Sequence, residues 1–222
     1  MKREIVITAD GSSTIHLPDW NENYHSTHGA IQEAKHVFIS KGLEAISASE
    51  ISLLEIGFGT GLNCFITFLE AQKKEKLINY VGVEAFPVTK EEVSKLNYVS
   101  ELKAKQQQLV FDEIHNCHWE EKHQIHSNFW LTKRKQFFKD IVDENQFELI
   151  YFDAFGAEHQ PELWTVAIFK KMFKALRVNG ILVTYSAKGS VRRAMQEVGF
   201  TVERLDGPPG KREMLRGTKY SA

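Results

Sequence analysis

The 222-residue chain predicts an α/β fold: a doubly wound, mostly parallel sheet with an antiparallel strand near one edge and an N-terminal β-hairpin. Three observations predict it. Short apolar runs alternate with amphipathic segments from Ser52 onward. One strand-to-helix junction carries glycines at alternate positions, Gly57, Gly59 and Gly61. Two further strand-like runs end in acids, Glu84 and Asp153, at the strand ends where such sheets bind ligands.

Taken in order, residues 3–17 read as a hairpin, with Ile5, Ile7, Ile15 and Leu17 flanking a turn at Asp10-Gly11. The polar stretch from Pro18 to Gly29 holds Trp20, Tyr24, His25 and His28, an unusual mixture for a plain linker. Ala30 to Leu43 has helical spacing, with Gly42 as its stop. Ser52–Ile56 is the first core strand and Cys64–Gln72 its helix; Tyr80–Glu84 is the second strand. Val88–Leu96 and Glu101–Val110 read as helices, Glu121–Ile125 and Phe129–Arg134 as weaker strands, and Gln136–Ile141 as helical. Phe147–Phe152 is a strong strand. Pro161 fits the first turn of a helix running to Leu176, which Asn179-Gly180 ends before strand Ile181–Tyr185. Ser190 is placed to cap a helix over Val191–Val198, with Gly199 just beyond it. Phe200–Leu205 and Glu213–Arg216 close the chain around the turn Asp206 to Gly210. The reading divides the chain into residues 1–45, a hairpin and helix packed on the core, and residues 46–222, the sheet-bearing domain.

Composition excludes several classes. Hydrophobic content of 42% and charged content of 26% suit a globular domain with a substantial core. No apolar run approaches the roughly 20 residues that cross a bilayer, and the N-terminus lacks the apolar stretch of a signal peptide, so no membrane partner is expected and the protein is expected to be cytoplasmic. Cys64 and Cys117 have no CxxC neighbour, and His115, His118, His123, His126 and His159 lack ligand spacing, so no metal is expected. Net charge is −1 but uneven: residues 170–222 carry 12 Lys and Arg against 4 Asp and Glu, a balance of +8. Such asymmetry marks either a polyanion-binding region or solvated helix faces.

The glycine junction carries the chemistry. Glu55 closes an apolar strand, Gly57-x-Gly59-x-Gly61 follows, and a helix begins. The junction lacks the later glycine of the dinucleotide fingerprint and the lysine of a P-loop. A strand-end carboxylate suits a cationic ligand better than a pyrophosphate, which points to S-adenosyl-L-methionine with its amino and sulfonium groups. A turn that merely joins strand to helix is the bland alternative. Glu84, 23 positions past Gly61, stands where α/β nucleotide sites bond ribose hydroxyls. Asp153 faces cofactor and substrate alike. An alkylamine, with a reference pKa near about 10.4, is mostly protonated at neutral pH, and a carboxylate beside it could orient it and accept its proton. A capping role for Asp153 is the alternative.

At this point the residues resemble a known family. Glu55 to Asn63, Val83 to Pro87, Tyr151 to Phe155, Pro161 to Trp164, Ser190 to Arg193 and Lys211 to Leu215 resemble the methyltransferase of the MnmC/MnmD type, as do Tyr24 to Ala30 and Glu33 to Phe38. The resemblance covers roughly residues 20–217. It implies a class I, Rossmann-like S-adenosylmethionine-dependent methyltransferase that forms 5-methylaminomethyl-(2-thio)uridine at the wobble position, in the anticodon loop, of certain tRNAs. It implies that Glu55, Gly57, Gly59 and Gly61 lie against the methionine end of the cofactor, with Tyr24, Thr60 and Asn63 in the same pocket, that Glu84 holds the ribose, and that Asp153 is the catalytic acid binding the substrate amine. The family's fused members carry an FAD-dependent domain; a chain ending at Ala222 is expected to lack it and to perform only the methylation. Lys188, Arg192, Arg193, Lys211 and Arg212 are expected to bind RNA. The family of folds often places an acid before the fourth strand for adenine; Asn128 to Arg134 offers none, leaving Asn128 or backbone atoms. The alternatives are a small-molecule amine transferase, spermidine-synthase-like enzymes included, and a non-catalytic cofactor-binding module. The basic region after Asp153 argues against a polyamine, and the complete glycine loop with Asp153 against a module.

Overall fold

A computed structural model describes residues 2–221. Eleven strands and seven helices are found among them: β1 (Glu4–Ile7), β2 (Ser13–Leu17), β3 (Glu22–Asn23), α1 (Ala30–Ala34), β4 (Glu50–Ile56), α2 (Leu62–Lys73), β5 (Leu77–Val83), α3 (Lys90–Val93), α4 (Tyr98–Glu101), α5 (Gln108–Asn116), β6 (Lys122–His126), β7 (Phe129–Arg134), β8 (Phe147–Phe152), α6 (Val166–Ala175), β9 (Leu176–Thr184), α7 (Gly189–Glu197), β10 (Thr201–Asp206) and β11 (Glu213–Thr218).

The main sheet has the order β10-β11-β9-β8-β4-β5-β7-β6. Its five inner strands β9, β8, β4, β5 and β7 run parallel, and β6, β11 and β10 are antiparallel additions at the two edges. From β4 the chain steps outward through β5 to β7, then returns to place β8 on the other side of β4. That reversal puts a crevice at the carboxyl ends of β4 and β8. Helices cover both faces. On one, Phe38, Phe65, Phe68 and Ile114 pack with the inner strands; on the other, Phe169, Met172, Val191 and Met195 do so. Helix α6 buries Ile168, Phe169, Met172 and Ala175, one apolar stripe, and starts at the Thr165 hydroxyl, which accepts from the Ile168 amide.

The hairpin forms as expected, with a third strand, β3, added from the polar segment. Its turn is held by Asp10, which accepts from the Ser12 amide at 3.0 Å. Arg3 ties β1 to the loop after β5 by donating to the Phe86 carbonyl at 2.7 Å.

Four local expectations are corrected. Asn179-Gly180 is not a helix stop: α6 ends at Ala175, and Asn179 (φ 65°) sits within β9, where the register against β8 shifts. Pairing with β8 and the backbone bonds of Lys219 to Asn179 and Gly180 override the local turn signal. The helix over Glu101–Val110 is broken by the left-handed Lys103 (φ 54°), and α5 begins only at Gln108. Helix α1 widens into a π turn over Lys35–Ser40 instead of continuing to Leu43. Ser190 caps nothing; α7 opens one residue earlier, at Gly189 behind Lys188.

Candidate active site

The strand β4 ends at Ile56 and the loop to α2 crosses the crevice with Gly57 (φ 90°), Gly59 (φ 47°) and Gly61 (φ 72°) in conformations that L side chains rarely adopt. Space makes the same demand. A Cβ on Gly57 would press into the Asp153 carbonyl, and one on Gly59 would lie 3.2 Å from the Tyr24 ring. The amides of Gly57 and Phe58 both donate to the Val83 carbonyl at 3.0 Å, locking the loop to the end of β5. Glu84, half-buried just past β5, accepts from the Gly59 amide at 3.0 Å and the Phe86 amide at 2.9 Å. Its carboxylate is thus fixed at the lip of the loop, each oxygen keeping a lone pair free for a hydroxyl.

Beneath the loop two carboxyls share one amide. Asn63 Nδ2 donates to Glu55 Oε1 at 2.9 Å and to Asp153 Oδ2 at 2.8 Å. Glu55 also accepts from the Tyr80 hydroxyl at 2.8 Å and is fully buried. Burial holds the Glu55 carboxyl well above the usual range, against these two hydrogen bonds. Asp153 lies at the end of β8, its amide donating to the Ile56 carbonyl at 2.9 Å. Burial, then the negative charge of Glu33, push its carboxyl up to about 7, while Asn63 and Lys211 oppose the shift. Asp153 is therefore poised to exchange a proton near neutral pH.

Two cavities flank the loop. One, of about 210 Å³, is lined by Phe58, Gly59, His115, Trp119 and Lys133. The other, of about 220 Å³, lies beyond Tyr24 and is lined by Glu33, Ala154, Phe155, Tyr185 and Lys211. The odd aromatic segment before α1 walls this second cavity. Phe155 meets Tyr24 edge-on at 5.0 Å and Trp20 at 5.7 Å, and His159 stacks on Trp20 while bonding Glu22 at 2.8 Å.

The structure redistributes several expected roles. Glu55 is turned inward and reaches the crevice only through Asn63. The Thr60 hydroxyl accepts from Tyr98 at 2.9 Å and its carbonyl meets His115 at 3.0 Å, so Thr60 braces the loop from behind. Asn128 stands at the start of β7, at the opposite edge of the sheet from the crevice, bonded to Gln72 and to the Lys76 carbonyl; it is out of reach of any adenine there. Lys211 is not a free surface cation: its ammonium sits in the second cavity on Glu33. Lys188 pairs with Glu158 at 2.6 Å in an exposed contact. Arg193 and Arg212 are exposed with no ion pair among the described residues, and Arg192 is half-buried, its Nε without a partner. Sequence reading missed two exposed aromatics, Phe86 and Phe137, whose rings meet edge-on at 6.0 Å beyond the ends of β5 and β7. An aromatic two residues after a strand-end acid was the available signal.

The residues fit S-adenosylmethionine. Positive-φ glycines form a cradle that any Cβ would fill, a strand-end carboxylate borders it, and Asn63 Oδ1 is buried beside it without a partner, free to accept from an ammonium. A family model described as S-adenosyl-L-methionine-dependent methyltransferase matches residues 95–220. The chain belongs to that family. This methyltransferase is 30% identical over 231 residues to the tRNA 5-methylaminomethyl-2-thiouridine biosynthesis bifunctional protein MnmC of Burkholderia mallei (strain SAVP1), an alignment covering 96% of the chain and 35% of that protein. It thus spans about a third of the length of the curated relatives it matches. Its fold is that of MNMC2 from Aquifex aeolicus, with a TM-score of 0.77 at 23% identity over 100% of this chain and 72% of the other. A probable spermidine synthase from Corynebacterium glutamicum shares the fold more loosely, with a TM-score of 0.56 at 17% identity over 97% and 76% of the two chains. Among the described residues no helix is long and apolar enough to cross a membrane, and no group of three acid, histidine or cysteine side chains is placed to hold a metal.

Two predictions follow from this geometry. Gly59→Val places a branched side chain at φ 47° against Tyr24; titration calorimetry is expected to show cofactor binding for the wild type and its loss for the variant. Asp153 is raised to about 7 from an ordinary value of 3.8. The unfolded chain therefore releases this proton at lower pH than the folded one, and the group costs stability progressively from about pH 4 to 7 and fully above that. Asp153→Asn removes the cost. Its melting temperature is expected to match the wild type at pH 4 and exceed it at pH 8; the opposite order at pH 8 contradicts the assignment.

Proposed function

We propose that the protein methylates a primary alkylamine carried on RNA: the 5-aminomethyl group of a wobble (2-thio)uridine in tRNA, giving 5-methylaminomethyl-(2-thio)uridine. The observation that carries the reading is Asp153, a carboxyl poised near neutrality beside the cofactor loop and next to a cavity lined by a second carboxylate, Glu33. The name of the MnmC relatives supplies the RNA and the product. In this reading residues 1–45 are a cap packed on the methyltransferase domain of 46–222.

When bound, S-adenosylmethionine supplies an electrophilic methyl group on a sulfonium. The glycines of 57–61 would leave room for its methionine part, Asn63 Oδ1 would accept from its ammonium, Glu84 would bond the ribose hydroxyls, and Phe86 and Phe137 would offer apolar faces to the purine. Tyr24 closes the loop from above. On the substrate side, an amine attacks only through a free lone pair. Asp153 accepts the ammonium proton, leaving the lone pair to form the new C–N bond as the C–S bond breaks. A carboxyl near 7 does this better than one near 4, since its carboxylate is nearer the amine in proton affinity. A carboxylate in partial isolation from water also orients the amine strongly.

RNA is held, in this reading, by exposed cations of the basic region. Lys188 follows Tyr185 at the end of β9, Arg193 lies on α7, and Arg212 adjoins Lys211. The Lys188–Glu158 pair is exposed and worth little by itself, so phosphate can replace it. A wobble base sits in a single-stranded loop, which lowers the cost of extruding it into the cavity. A polyamine fits less well, since the exposed Lys188, Arg193 and Arg212 suit a polyanion.

Asp153→Asn keeps the shape and bonds of the side chain while removing its basicity. Single-turnover methylation of tRNA bearing 5-aminomethyluridine is expected to slow by roughly 10²-fold or more, and the wild-type rate is expected to rise through an apparent pKa near 7 that the variant lacks. A folded variant with near-normal rate contradicts the role. Neutralising Lys188, Arg193 and Arg212 together is expected to weaken tRNA binding and to flatten its logarithmic salt slope by about 2, at roughly 0.7 per lost phosphate contact. Cofactor affinity stays unchanged. An unaltered slope moves the docking surface to the segment around Trp20.

A further inference from the structure

Two of the segments that carry the family resemblance, Glu33 to Phe38 and Lys211 to Leu215, meet at their first residues. Lys211 Nζ lies 2.7 Å from Glu33 Oε2 and 3.8 Å from the centroid of the Tyr185 ring. Glu33 is 7% exposed. Tyr185 is held in place by its hydroxyl, which donates to the Ala154 carbonyl at 2.8 Å. All three line the cavity that adjoins Asp153. A carboxylate on one side and an aromatic face on the other is a recognition site for an alkylammonium ion. The ion held there now is chemically what the substrate is proposed to be, a primary ammonium on a flexible alkyl stem.

We propose that Glu33 and the face of Tyr185 form the recognition subsite for the substrate's ammonium, and that Lys211 occupies this subsite until the substrate displaces it. The inference rests on the reading of the substrate as a primary amine. Two arguments support it. A buried carboxylate left without a partner is strongly destabilising, so an empty subsite needs a resident cation, and the Lys211 side chain, 33% exposed, is placed to provide one and to swing out to solvent. Exchange of one ammonium for another also leaves the charge of the cavity unchanged. Selectivity follows: a side chain ending in a neutral or anionic group cannot replace Lys211 on Glu33, whereas a primary ammonium can. From there the ammonium is handed to Asp153, whose carboxyl is within the electrostatic reach of both Glu33 and Lys211.

The test compares wild type, Lys211→Met and the double variant Glu33→Gln/Lys211→Met, with ethylammonium chloride as the probe and tetramethylammonium chloride as the ionic-strength control. Inhibition of tRNA methylation is measured alongside ethylammonium binding by calorimetry in the presence of S-adenosylhomocysteine, which serves any variant too slow to assay. Removing the resident cation is expected to strengthen ethylammonium binding by about tenfold or more, the scale of one charge-assisted hydrogen bond, and the double variant is expected to lose that gain. Cofactor affinity, equal in all three, reports intact folds. Equal ethylammonium affinity for wild type and Lys211→Met overturns the subsite, as does a gain that survives in the double variant. Failure of the underlying reading is distinct: wild-type enzyme would then leave aminomethyluridine tRNA unmethylated.

Discussion

One carboxamide holds the site together. Asn63 projects from the first turn of α2 and donates to Glu55 on β4 and to Asp153 beyond β8. These are the two strands on either side of the point where the sheet reverses direction. The glycine loop, which must rise from β4 and drop into α2, is therefore referenced to the carboxylate that needs to face it. A shift of either strand would break a bond between buried or half-buried polar groups, at a cost of the order of 1–3 kcal/mol each. Everything else in the crevice is arranged around this bridge: Tyr80 anchors it from below, Glu84 fixes the loop from the neighbouring strand, and Tyr98 braces Thr60 from behind.

The central features of fold and site were legible because they are local. An apolar run, three alternating glycines and an amphipathic segment specify strand, loop and helix without help from the rest of the chain, and acids at strand ends announce themselves by position. Where reading failed, a distant partner decided. Asn179-Gly180 is a turn signal overruled by β8 and Lys219. The helix expected over Glu101–Val110 gave way to a left-handed Lys103. Asn128 was avoidable, since a residue preceding a parallel strand lies at the edge of the sheet opposite the ligand. Glu55 and Thr60 carry the right chemistry and the right spacing, but spacing does not tell which way a side chain turns. Lys211 read as one cation among several in a basic region; only the folded chain sets it against Glu33.

Charge is divided between the interior of the site and the protein surface. Around Asp153 the protein collects Glu33, Glu55 and Glu84 and withdraws water, which makes protons cheap to exchange and cations welcome. A few residues outward, Lys188, Arg193 and Arg212 offer positive charge in full contact with solvent. An acidic interior with exposed cations elsewhere on the same chain suits the proposed ligand, with a cationic tip on a polyanionic body.

The ion pair between Glu33 and Lys211 spans 178 positions of sequence. On a chain synthesised from its N-terminus, the acid emerges long before the base. The wall of the second cavity supplied by the hairpin and α1 thus stays unpartnered until the β10–β11 turn has left the ribosome. The cavity is thus closed by the far edge of the sheet, long after the segment that forms its opposite wall.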